Sequence, residues 1–448
     1  MINSDAPGKK SIVFVNRYFY PDYSATSQAL TDLARGLTER GFAVRVVCSR
    51  QLYDDPTARL PAKETLFGVK VHRVGTTHFG RRRLMGRAID YATFYFRAVM
   101  LLMSILGRGD VLVVKTDPPL MSLPAVLIAW LKGVALLTWQ QDVFPELASH
   151  LGANPLPPWL DGLLRRLRNA SLRASRINVV ISARMRDHFI ACGIPAAKLC
   201  LIENWADADC IKPKSSSASV LRADLGLADR FVVCYSGNLG RAHEFDTLLA
   251  AAESLKLDRS FIFLIIGGGA KMPALKRAVA ERALENFCFL PYQPRHSLED
   301  SLAAADVHLV SLLPALEGLI SPCKLYGVLA AGRPLIFVGE RDGEVGRVVG
   351  NAECGLSVRV GDGSGLAGSL QYLRAQGEAR LQMGIRAREL ACEKYTLTRA
   401  TDRWIDVLRS SMQVEVPAAV TETWAKELWA EEPWADIHTS PVQATDKP

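Results

Sequence analysis

Short apolar runs recur along the chain, and each is followed by a longer stretch with apolar positions three and four residues apart. "SIVFVN" (11–16) precedes "SATSQALTDLARGLTER", whose spacing, Ser/Thr-rich start and Gly41 stop predict a helix. "AVRVVC" (43–48), "VKVHRVG" (69–75), "DVLVVK" (110–115), "VALLTW" (134–139), "INVVIS" (177–182) and "KLCLIEN" (198–204) predict further strands. β-Branched runs without alternation predict parallel strands buried on both faces. The pattern breaks over 206–226, "ADADCIKPKSSSASVLRADLG", which is polar and Ser-rich and reads as a linker. It restarts with "FVVCYSG" (231–237), "FIFLIIGGG" (261–269), "NFCFLPY" (286–292), "DVHLVSL" (306–312) and "PLIFVG" (334–339). Two alternating halves predict an α/β protein of two doubly wound domains facing a cleft, with ligands at the carboxyl ends of the strands.

The expected boundaries are a first domain over 1–205, the linker, a second domain over 227–390, and a crossing helix over 391–412. The tail, 413–448, carries evenly spaced tryptophans in "TWAKELWAEEPWAD" and reads as either disordered or a short amphipathic helix. Two segments have membrane-like composition. "PPLMSLPAVLIAWLKGVALLTW" (118–139) is long enough to span a bilayer, but Pro124, Lys132 and Gly133 interrupt it, so a buried helix followed by a strand is expected. "FYFRAVMLLMSILG" (94–107) follows Arg81–Arg83, and together they read as either an interfacial anchor or a core helix behind a solvated loop.

Composition narrows the partners. The 448 residues are 49% hydrophobic and 22% charged, which is globular, and their number suits two domains. The net charge is +8, yet the tail from Gln413 alone carries −5, so the body is more basic than the total suggests. A basic body points to anionic partners such as phosphates or an anionic membrane face. No RNA- or DNA-binding module is recognisable, so nucleic acid is not expected. Nine cysteines lie singly without a CxxC pair, which argues against structural zinc or a disulfide framework and for a reducing compartment. No apolar stretch follows "MINSDAPGKK", so no signal peptide is expected.

Three stretches carry candidate chemistry. "CYSGNLGRAHEFDTLL" (234–249) is a strand, a glycine-rich turn, Arg241, His243 and a helix start: either a phosphate site or a plain turn with a surface arginine. "IIGGGAKMPAL" (265–275) is a second glycine-rich turn of low specificity. In "LEGLISPCKLYGVLAAGRP" (316–334), Ser321 is expected as a helix N-cap and Pro322 as the first helical residue. Lys324 then sits in the first turn, where its charge opposes the helix dipole. A bound diphosphate resolves that conflict, and Glu317 is placed to accept hydrogen bonds from sugar hydroxyls. The bland alternative is a solvated lysine on a core helix.

These stretches, with "LPYQPRHSLEDSLAAADVHLVSL", "NRYFYPDYSATSQALTDLARGLTERGFAVRVVC", "WQQDVFPE" and "VISARMRDHFIACGIPAAKLCLIENWAD", resemble the retaining glycosyltransferases of the GT-B fold, family 4 (glycosyl transferases group 1). The resemblance runs over roughly 11–410 and is closest to the branch that builds O-antigen, capsule and colanic-acid-type exopolysaccharides. It implies that Arg241 and Lys324 stabilise the leaving diphosphate, and that Gly237 and Asn238 let backbone approach it. It places Glu317, Gly318, Leu319 and Ser321 about the donor sugar and phosphate, Tyr292 by the nucleobase, and Tyr23, Ser24 and Ala25 across the cleft. Asp142 either faces the acceptor hydroxyl or caps the next helix. The implied donor is a nucleotide-sugar, with UDP expected, and the implied acceptor is a lipid-linked saccharide at the cytoplasmic face of an inner membrane. No metal or other cofactor is expected.

Departures from the family pattern are visible. A second glutamate that binds donor ribose in many members is replaced by Gly327, a Gly-Gly pair by Ser24-Ala25, and a phosphate-loop lysine by His243. Two rivals follow: a UDP-amino-sugar 2-epimerase of the same fold, and a non-catalytic nucleotide-sugar-binding scaffold.

Overall fold

The computed structural model describes residues 10–79, 84–152, 157–208 and 210–412. Arg81–Arg83 and the tail 413–448 lie outside the described residues, so the expectations placed on them are not taken further.

The first sheet comprises β1 (Ser11–Val15), β2 (Ala43–Ser49), β3 (Lys63–Leu66), β4 (Val69–Val74), β5 (Val111–Lys115), β6 (Ala135–Gln140), β7 (Ile177–Val180) and β8 (Leu199–Leu201). Its spatial order is β3-β4-β2-β1-β5-β6-β7-β8. The second comprises β9 (Phe231–Asn238), β10 (Phe261–Gly268), β11 (Phe287–Leu290), β12 (Val307–Ser311), β13 (Leu335–Val338) and β14 (Gly355–Val358), in the order β11-β10-β9-β12-β13-β14. Pairing is parallel except between β3 and β4. Every residue of β1, β5, β6 and β12 is buried, which is why these strands read as unbroken apolar runs. Strand order reverses between β1 and β5 in the first sheet and between β9 and β12 in the second. Crevices form at such reversals, beyond the carboxyl ends of the strands.

The stretch read as a linker contains a short helix, Val220–Asp224, capped by the Ser219 side chain. The chain crosses between the sheets twice. Ala206 pairs with Thr396, and the helix Leu397–Met412 returns to the first sheet, where Trp404 packs 4.9 Å from Trp139.

The 118–139 segment is the expected helix and strand. Helix Ser122–Lys132 ends at Gly133 in the left-handed conformation (φ 61°), and β6 follows. The helix Leu84–Ile105 is long and apolar enough to cross a membrane. One face of it, Phe94, Ala98 and Leu102, packs on the first sheet, while Ile89, Phe96 and Met100 are exposed. Helix Ser122–Lys132 packs beside it and exposes Leu127, Trp130 and Leu131.

Candidate functional site

The two crevices face each other, and loops from both sheets touch. Val143 N–H donates to the Leu319 carbonyl (2.9 Å), Asp142 bridges Ile320, and Asn204 Nδ2 donates to Cys323 Sγ (3.3 Å). The Arg184 guanidinium donates to the Asp342 carbonyl (2.7 Å), and Arg295 pairs with Asp32 (2.8 Å).

Lys324 lies beside the carboxyl end of β9, next to Tyr235 and Gly237. Its Nζ donates to the Tyr235 hydroxyl and to His243 Nε2 (3.1 Å), and lies 4.1 Å from the Tyr235 ring centroid. The imidazole tautomer follows from its other partner. His243 Nδ1 lies 2.6 Å from the Ser311 carbonyl, which can only accept, so Nδ1 carries the hydrogen and Nε2 accepts from the lysine. The Tyr235 hydroxyl passes its own hydrogen to the Asn238 carbonyl (3.1 Å). Lys324 therefore has neutral partners and no carboxylate within ion-pair distance among the described residues. Burial pushes its pKa down to about 7. Burial, with the lysine beside it, pushes His243 down to about 3, which fixes the ring as neutral.

Glycines shape the floor. Gly237 has φ 126°, and a Cβ there would sit 3.6 Å from Lys324 Cε. Gly267 has φ 124°, and a Cβ would fall 2.3 Å from the Gly237 carbonyl oxygen. A Cβ at Gly267 or Gly268 would also crowd the Tyr292 ring, at 3.2 and 3.1 Å, so the half-exposed ring packs close against bare backbone. Asn238 and Arg241 are exposed on the same turn, and Arg241 has no salt bridge among the described residues.

Glu317 ends the short turn Pro314–Leu316 that precedes the Lys324 helix. Its Oε2 accepts from the N–H of Glu344, the first residue of the helix Glu344–Ala352 (3.1 Å), while Oε1 is buried without a partner. Burial raises its pKa. A Cβ at Gly343 would lie 2.3 Å from Oε1, so glycine there is what lets the carboxylate in. Gly318 adopts φ 76° and turns the chain beneath the Arg184 carbonyl.

Ser321 departs from its expected role. The helix spans Lys324–Ala330, its cap position is Cys323, and no side chain caps it. Pro322 and Cys323 form a preceding turn whose carbonyls accept from Leu325 and Tyr326, which delays the helix past the Ser-Pro pair. Ser321 is buried instead. Leu319 is buried as well, and its N–H is satisfied by the Leu316 carbonyl, so its backbone joins the domains rather than presenting a donor to the crevice.

On the first sheet, Ser24 is the N-cap position of helix Ala25–Glu39 and leans on Asp22 Oδ1 through both N–H (2.8 Å) and hydroxyl. Tyr23 is 74% exposed and is free to meet a ligand. Asp142 is half-buried beside Lys115. Burial and the neighbouring Asp117 push its carboxyl up to about 6, against the pull of Lys115. It precedes the helix Glu146–His150 by a full turn and does not cap it.

Lys115, Tyr235 and Arg184 were not singled out in the sequence. Lys115 ends β5, with Nζ donating to the Thr26 carbonyl (2.9 Å) and lying 3.5 Å from a Trp139 ring centroid. Burial pushes it to about 7. A lysine closing the apolar run "DVLVVK" was the available signal.

Two parallel-sheet domains with this crevice define the GT-B fold. The chain belongs to the glycosyltransferases of that fold: a glycosyl transferase 4-like domain matches residues 24–205, and glycosyl transferases group 1 matches 219–390. It is 26% identical over 287 residues to the probable glycosyltransferase WbjE of Pseudomonas aeruginosa, covering 64% of this chain and 72% of that one. It is 29% identical over 238 residues to the putative colanic acid biosynthesis glycosyl transferase WcaI of Escherichia coli K12, covering 52% of this chain and 58% of that one. Among solved structures, Anabaena Alr3699/HepE in complex with UDP and glucose superposes with TM-score 0.69 at 15% identity, over 90% of this chain and all of that one. Sucrose-phosphate synthase from Thermosynechococcus elongatus gives 0.71 at 17% identity, over 90% and 98%.

Proposed function

We propose that the protein is a retaining glycosyltransferase that moves a sugar from a UDP-sugar to a lipid-linked saccharide during bacterial cell-surface polysaccharide synthesis. The observation that carries this reading is the part-buried Lys324, held by two neutral partners and without a counter-ion among the described residues. A stability-driven core does not keep such a cation, whereas a diphosphate supplies the missing charge. Arg241, free on the adjoining turn, adds a second cation. These side chains supply the positive charge that would otherwise call for a metal. Tyr292 on its glycine floor offers a stacking face for the base, and the unpartnered Glu317 Oε1 awaits a sugar hydroxyl. The UDP-bound HepE relative and the relatives named for glycosyl transfer support UDP and polysaccharide assembly.

As the donor bond breaks, negative charge grows on the diphosphate, and Lys324 and Arg241 lower the barrier by meeting it with fixed positive charge. The acceptor hydroxyl approaches from the face that the diphosphate leaves, gives its proton to a departing phosphate oxygen, and configuration is retained. Asp142 orients that hydroxyl from the first sheet. The exposed apolar faces of helices Leu84–Ile105 and Ser122–Lys132 lie against the inner membrane at its cytoplasmic side, where a lipid-linked acceptor resides.

The test incubates the protein with a UDP-sugar panel and polyprenyl-diphosphate saccharides in anionic vesicles. Transfer with the donor's anomeric configuration kept, seen by NMR, is expected. An altered sugar with no acceptor added indicates the epimerase, and tight UDP binding with no turnover indicates the scaffold.

A further inference from the structure

A second cluster of reactive groups lies under the "WQQDVFPE" turn and takes no part in the proposed transfer. Arg168 forms a bidentate pair with buried Glu146 (2.9 and 2.7 Å) and also donates to the Phe144 carbonyl (3.0 Å). His188 and Cys192 stand four residues apart at the end of helix Ala183–Ala191, which places both on the face toward that pair. Cys192 Sγ lies 3.6 Å from His188 Nε2 and 4.0 Å from Arg168 Nη2, and His188 Nε2 lies 3.6 Å from Glu146 Oε1.

Glu146, His188 and Cys192 have the chemistry of metal ligands, but the charges oppose a cation. Both Glu146 oxygens are engaged by Arg168, and Arg165 approaches within 3.4 Å. Burial raises the Glu146 pKa, but hydrogen bonds from His188 and Arg168 outweigh it and hold the carboxyl at about 2. A divalent ion would have to displace a guanidinium from a buried carboxylate.

What the arrangement stabilises is a thiolate. We propose that Cys192 is a modification site, a thiol whose ionised form is favoured by the adjoining His188 and Arg168, and that it reacts with hydroperoxides and small alkylating electrophiles ahead of the chain's other described thiols. Cys192 is itself only half-buried. The hydrogen bond from His188 lowers the Cys192 pKa, and that bond together with Glu146 raises His188 to about 9. Cys48, Cys200, Cys234, Cys288, Cys323 and Cys354 are driven the other way by burial. Reactivity follows the thiolate fraction and access, and only Cys192 among these has two cations within 4.0 Å of its sulfur. With a hydroperoxide, the thiolate attacks one peroxide oxygen, the S–O bond forms and the O–O bond breaks. The sulfur is oxidised to sulfenic acid, the peroxide is reduced, and its leaving oxygen departs as water or alcohol with the proton from His188 Nε2.

The full-length protein is labelled with limiting iodoacetamide at pH 6 and mapped by peptide mass spectrometry. Cys192 is expected to label at least about threefold faster than exposed Cys392. Its rate should flatten at a lower pH than that of Cys392 in the wild-type protein alone. In His188→Gln the advantage should vanish at pH 6, while the Cys192 rate itself should recover above pH 9, where ordinary thiols ionise, to about that of Cys392; a sulfur closed off by a disturbed fold would not give that pH-dependent recovery. Labelling of Cys392 or Cys323 first at pH 6, or protection of Cys192 by stoichiometric Zn²⁺, would overturn the proposal.

Discussion

Lys324 Nζ sits 3.1 Å from His243 Nε2, and the ring that receives it is kept neutral by burial and by the lysine beside it, while its Nδ1–H donates to the Ser311 carbonyl. A neutral acceptor brings no counter-charge, so no paired opposite charge among the described residues offsets the cost of the lysine's positive form. Its pKa is down to about 7, and a bound diphosphate favours the charged form. UDP binding should therefore take up a proton above pH 7 and weaken as pH rises from 7 to 9. Calorimetry at pH 8 in buffers of different ionisation enthalpy should report uptake near one proton. Affinity independent of pH in that range would remove the charge argument.

Glu317→Gln separates the two jobs of that side chain. The amide oxygen still accepts from the Glu344 N–H, so melting temperature should hold or rise with the loss of a buried carboxylate. UDP affinity should stay within about twofold, while turnover should drop tenfold or more through the lost acceptor at Oε1. Equal turnover would place the donor sugar elsewhere.

Lys115 gives a stability signature with a defined sign. Its pKa is about 7 in the folded chain and about 10.4 unfolded, so between these values the unfolded state binds more protons. Stability contributed at this site rises with pH across that window. The melting-temperature difference between Lys115→Met and wild type should thus favour the variant most at pH 6 and shrink by pH 10. A constant difference would mean that the lysine is not desolvated.

Gly327 stands where the family resemblance implies a ribose-binding glutamate, and a Cβ there meets nothing closer than Leu302 Cδ1, at an ordinary 3.8 Å. Gly327→Glu should fold at least as stably, since glycine inside a helix costs about 1 kcal/mol, and should tighten UDP binding severalfold. Weaker binding in a folded variant would show that this chain holds the ribose by another route.

The alternation of buried strands and amphipathic helices was legible because parallel strands covered on both faces leave unbroken apolar runs. β3, "KETL", escaped notice because an antiparallel edge strand keeps polar residues. β14, "GLSV", escaped because four residues with a glycine carry little signal. Lys324 stood out as a charge at the mouth of an apolar helix. Its partners Tyr235 and His243 lie 89 and 81 residues away, a proximity made by sheet order rather than local pattern. The Ser-Pro pair suggested a cap at Ser321, but the turn through Cys323 moved the helix start to Lys324.

Lys324 is proposed to clamp the donor diphosphate. Calorimetric titration of UDP into wild type and Lys324→Ala, each checked for the same melting transition, tests it most directly. Wild type should bind UDP selectively, and the variant should lose at least about tenfold in affinity, the scale of a charge-assisted contact. Equal affinity in the two folded proteins would contradict it.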